Sequence, residues 1–99
     1  MAKIYISEYA DMPIRQGNLV QVGQEPAIAA QVVAIGGASA QSAAFNAKTK
    51  FVRINTDAIC SVLFGSNPTA TADSPRMSAG ATEFFGIVAG HKVAVITNT

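Results

Sequence analysis

The chain has 99 residues, a net charge of +1 and 13% charged residues, about half the share of an ordinary soluble domain. That length holds one domain with one core, and the scattered Lys and Arg form no basic patch of the kind a phosphate backbone requires, which argues against nucleic acid as a partner. No stretch approaches the roughly 20 apolar residues of a membrane span, and Cys60, the only cysteine, leaves no intrachain disulfide to form.

In chain order, the start MAKIYISEYADM is too polar for a signal peptide. The expectation is therefore a chain made in a reducing cytoplasm and not exported by that route. KIYIS (3–7) alternates, with Ile4 and Ile6 on one face and Lys3, Tyr5 and Ser7 on the other. Such period-two patterning describes a half-buried strand. EYADMPIRQGN (8–18) carries Tyr9, Met12, Pro13 and Ile14, apolar residues that do not fit the strand pattern. We read 8–18 as a segment available for contact with a partner.

NLVQV (18–22) resumes the alternation through Val20 and Val22. The Ala-rich stretch 25–48 is ambiguous, because Ile28, Val32 and Ile35 fit helical spacing and alanine is the best helix former. The β-branched pair Val32–Val33 and the glycines at 36–37 favour two strands instead, around 29–35 and 40–46. A short helix in 38–48 is the alternative to the second of them.

FVRIN (51–55) turns Val52 and Ile54 one way; ICSVLF (59–64) is apolar on both sides and reads as a strand covered on both faces. TEFFGIV (82–88) and KVAVIT (92–97) complete the set. Phe84 and Phe85 are adjacent, so a strand sends them to opposite faces: one enters the core and the other needs a second cover. With 18 alanines in the chain, the five Phe carry a large share of the apolar burial. Gly, Pro, Asn or Asp mark a turn between successive runs. Short strands with frequent turns predict an all-β fold, a small antiparallel sandwich or jelly-roll-like barrel spanning 1–99 as a single domain.

Residues that could carry chemistry are few. His91 stands alone in the AGHKV turn, Cys60 lies in an apolar run where an inert thiol is expected, and the six carboxylates are dispersed. A metal site needs three or four convergent ligands, and neither GxGxxG nor GxxxxGK[ST] occurs. No enzyme and no cofactor is expected. The long connection 65–80 exceeds the length of an idle loop. Pro68 and Pro75 stiffen it, and Asn67, Thr69, Thr71, Arg76 and Met77 are contact-capable. It is read either as a meander packed on its own domain or as an arm that touches a partner.

The stretches AIGGASAQSAAFNAKTKFVRINTDAICSVLFGSNPTAT and RMSAGATEFFGIVAGHKVAVI, with the KIYIS start, resemble small virion structural proteins of tailed bacteriophages. The resemblance covers roughly residues 30 to 98 and includes no catalytic signature. It implies a β-sandwich or jelly roll that decorates or cements the head, on the outer surface of the virion. It further implies contacts with the major capsid protein and assembly as a dimer or trimer. No residue-level roles come with it. A head–tail joining or tail protein is the nearest alternative. A carbohydrate-binding β module is a more distant one, disfavoured because the chain has no Trp and only Tyr5 and Tyr9 as tyrosines.

Overall fold

Alternating patterns of this kind can satisfy their backbone only by pairing, and pairing organises the whole chain. The structure is a computed structural model that describes residues 2–12, 14–19 and 23–98. Its strands are β1 (Lys3–Tyr9), β2 (Ile14–Arg15), β3 (Asn18–Leu19), β4 (Ala29–Ala34) and β5 (Ala40–Gln41), followed by β6 (Phe51–Thr56), β7 (Cys60–Gly65), β8 (Arg76–Met77), β9 (Thr82–Gly86) and β10 (Lys92–Thr97). Two four-stranded antiparallel sheets form, ordered β4-β1-β6-β9 and β5-β10-β7-β8. Setting the β2–β3 hairpin aside, this is the strand order of an eight-stranded jelly roll whose chain begins one strand earlier in the circuit.

The core lies between the sheets. Ile4, Ile6, Val33, Val52 and Ile54 from the first sheet meet Cys60, Val62, Met77, Val93 and Val95 from the second. Phe45 closes one side, and Phe64 and Phe85 pack against the cluster with ring centroids 4.9 Å apart. Both chain ends meet the 35–36 corner: Ile35 N–H donates to Ala2 O and Thr97 N–H to Gly36 O, each at 2.9 Å.

Among the described residues every buried side-chain nitrogen and oxygen is partnered, as burial requires. Glu8 points inward from β1. Its Oε1 accepts from Asn46 N–H and Thr49 O–H, both at 2.8 Å, and its Oε2 accepts from the Gln31 amide at 3.2 Å. The carboxylate therefore anchors the 46–49 turn and strand β4 to β1. Its partners are distant in sequence and adjacent in space, so a carboxylate that stands alone in the sequence is buried and bonded in the sheet.

Several expectations are corrected. The second strand of the Ala-rich region stops at Gln41, and 42–48 forms neither strand nor helix. There Ser42 N–H donates to Val93 O and Phe45 N–H to His91 O, so partners distant in the same chain take the groups a helix would pair locally. Strand β7 is covered on both faces over Cys60, Ser61 and Val62 but not at Leu63, which remains 37% exposed. Strand β9 ends at Gly86, short of the expected 88. Of 18–22, Asn18 and Leu19 form β3; Val20 and Val22 lie outside the described residues. The β2–β3 hairpin pairs with neither large sheet and turns through Gln16 and Gly17, both at positive φ, as a two-residue type I′ turn demands. The whole molecule measures 46 × 25 × 21 Å.

Candidate contact surface

A sandwich has two outer faces, and here they are treated differently. Segment 66–75 folds back over the outer face of the second sheet. The Gln41 amide donates to Asn67 Oδ1 at 2.9 Å and to Pro68 O at 2.7 Å, and Ala70 N–H donates to Ser39 Oγ at 2.9 Å. The Asn98 amide reaches Ser61 Oγ at 2.6 Å and Ala72 O at 3.2 Å. Pro68 and Ala70 are buried beneath this cover, together with Ser61 and Ala94 of the sheet. Thr71 and Ser74 close the far end as a compact turn. The long connection is thus a meander on its own domain.

The outer face of the first sheet is open over most of its area. The register sets its rows: Val32, Tyr5, Asn55 and Thr82 in one, then Ala30, Ser7, Arg53 and Phe84, then Tyr9, Phe51 and Gly86. Phe84 and Val32 are each 54% exposed and Tyr5 42%, with Ile28 and Val88 exposed at the margin. The rings form a ladder, Tyr9 stacked on Phe51 at 5.3 Å and Phe51 tilted against Phe84 at 6.3 Å. Alanine, serine, glycine, threonine and Asn55 fill the remaining positions, which keeps the surface low, and the cations on these strands are Lys3 and Arg53. An exposed apolar area of this kind marks a contact site more often than an idle surface.

One end of this face is closed by the chain itself. Residues 23–28 strap over Tyr9: Gln24 N–H donates to Asp11 O and Ile28 N–H to Glu8 O, both at 2.9 Å. The Tyr9 hydroxyl donates to Glu25 Oε2 at 2.7 Å. That bond, with burial behind it, raises the Tyr9 pKa above its ordinary value. Gly23 lies so close that a Cβ there would come within 2.5 Å of the ring, so only glycine fits.

The contact residues expected from sequence fall into separate places. Tyr9, Pro68 and Met77 are buried in the protein's own fold, Met77 at 1% exposure, and this corrects their reading as contacts. Met77 is turned inward because it pairs opposite Cys60 on the core side of the second sheet. Met12, Asn67, Thr69, Thr71 and Arg76 are exposed. Ile14 lies on β2, and Pro13 is outside the described residues. Segment 66–75 lies on the second sheet, whereas Glu8 and Tyr9 belong to β1 of the first and the β2–β3 hairpin pairs with neither. Sequence reasoning passed over Tyr5, Val32 and Phe84 as a group. Its one signal was the Phe84–Phe85 pair, of which Phe85 packs on the core and Phe84 stands uncovered.

Reactive groups do not converge. Burial raises the Cys60 pKa, and its Sγ lies 3.5 Å from Thr56 Oγ1. His91 occupies the 88–91 turn, where its N–H donates to Val88 O. Among the described residues no three of His, Cys, Asp and Glu are grouped to hold a metal ion. Comparison with protein-family models, with curated proteins and with solved structures finds no match for this chain.

Proposed function

We propose that this protein is a phage virion structural protein, a decoration or cement protein that binds major capsid subunits on the outer surface of the head and works without catalysis. The observation that carries the reading is the open face of the first sheet. Tyr5, Val32 and Phe84 remain exposed, whereas the chain covers part of the second sheet's outer face, around Ser61 and Ala94. Ten residues partly cover one outer face while most of the aromatic face is left open, an arrangement that suits adhesion at the open one. The low charge of the chain suits this, because desolvating unpaired charge is the main penalty of close approach. A standard contact covers about 1,200–2,000 Å² in total, and repetition over a symmetric shell adds avidity to modest single contacts.

The test is binding of the purified protein to expanded empty heads that lack it. Saturable binding that Phe84→Asp abolishes supports the proposal; absence of binding to the shell opposes it and favours a connector or tail position. The exposed Tyr5 and Phe84 rings also suit a sugar-stacking face, so a glycan array accompanies the assay. Selective hits lost in Tyr5→Ala would favour a carbohydrate-binding module.

A further inference from the structure

The first sheet ends on two strands, β4 and β9, whose outer edges no other strand covers among the described residues. Hydrogen-bond direction alternates along a strand. On β4, Ile35 N–H bonds Ala2 O, and the register of Val33 with Ile4 and Gln31 with Ile6 continues the same side. The N–H and C=O groups of Ala30, Val32 and Ala34 therefore point away from the sheet. All three residues are exposed, and no described group bonds their backbone. By the same count Thr82, Phe84 and Gly86 line the free edge of β9.

Exposed edges are normally guarded by charge, proline, bulges or brevity. The edges of the second sheet, β5 and β8, are two residues long. Strand β9 carries exposed Glu83 and ends on Gly86, which weakens pairing there. Strand β4 reads AAQVVA, six residues without charge, proline or glycine. It is the unguarded edge.

We propose that β4 pairs antiparallel with β4 of a second copy of this chain about a two-fold axis at Val32. The pairing is self-complementary. Val32 faces Val32 of the second copy as a hydrogen-bonded pair, Ala30 faces Ala34, and six outward groups on each strand find partners. No like charges meet: Lys3 stands one strand in from the seam and Arg53 two. The product is a continuous eight-stranded sheet, within the ordinary range, whose outer face joins Val32 and Tyr5 of both copies in one apolar band. A seam about 20 Å long, six residues at roughly 3.3 Å each, is small for a stable interface. The dimer is accordingly concentration-dependent. This inference concerns the isolated protein and stands whether or not the shell-binding reading holds.

The experiment is a covalent trap. A hydrogen-bonded antiparallel pair places Cα atoms about 5.5 Å apart, inside the range a disulfide spans, and the native Cys60 is fully buried. Under mild oxidant Val32→Cys is expected to form a disulfide dimer at least tenfold faster than Phe84→Cys on the other free edge. Val32→Pro removes an outward N–H without breaking an internal bond. It is expected to keep the fold while the mass measured by light scattering stays that of a monomer at concentrations where the wild type rises towards a dimer. Equal trapping at both positions, faster trapping at Phe84→Cys, or wild-type masses that climb past the dimer would overturn the proposal.

Discussion

At the residue scale, alternation in the sequence located the core side of β1 and β6 correctly: Ile4, Ile6, Val52 and Ile54 are all buried. Ile54→Ala is expected to cost about 2–5 kcal/mol, the range for a buried large-to-small change, read from a denaturant midpoint at unchanged slope. Glu8 was not legible as a core residue, because its donors Asn46 and Thr49 lie 38 and 41 positions away and no local pattern announces them. Glu8→Gln turns an amide N–H towards donors and is expected to destabilise by about 1–3 kcal/mol; a melt indistinguishable from wild type would contradict the anchoring role. Tyr9 supplies a pH dependence with a definite sign. Its folded pKa is raised above the ordinary value of about 10.0, so the clasp with Glu25 contributes fully below that pH and is lost as pH rises through the folded value. A phenolate absorbance titration should show the late ionisation move back down in Glu25→Gln.

At the scale of elements, strand identity was legible where the period was clear and boundaries were not. The run 29–34 became β4 despite its helical alanines, since β1 offers it a full ladder of partners. Segment 42–48 lost its strand because Phe45 must turn into the core while its backbone bonds the 90–91 turn. Of the two readings of 65–80, packing on its own domain is what 66–75 does: Ala70 is buried with its N–H on Ser39, and the Asn98 amide ties Ala72 to Ser61. Nothing in the sequence states which sheet such a segment covers. Gln41 holds this cover through two bonds. Gln41→Ala is therefore expected to speed amide exchange across 66–74 several-fold while β1 and β6 stay protected; uniform acceleration would contradict a locally held cover.

At the scale of the whole molecule, the fold class was fully legible, because period-two runs divided by turn residues admit few architectures. The open face was not, since it depends on which strands become neighbours: Val32, Tyr5 and Phe84 come from three distant parts of the chain and share a surface only through the order β4-β1-β6-β9. Gly23→Ala provides an internal control. The added methyl is forced against the Tyr9 ring, so the strap should lift at a cost of about 1–3 kcal/mol, while the Phe84 side of the face is left intact.

Adhesion through an uncovered aromatic sheet is the claim from which the functional account follows, and Phe84→Asp probes it without touching the core. The change gives up the Phe84 contact with the Phe51 ring and puts a poor strand former in β9, so it is expected to cost about 1 kcal/mol while leaving the core residues in place. Quantitative sedimentation of wild type and variant with expanded empty heads is the direct measurement. The account predicts saturable wild-type binding and at least a hundredfold loss in a variant that remains folded at the assay temperature. Equal binding by the two proteins, or none by either, would contradict it.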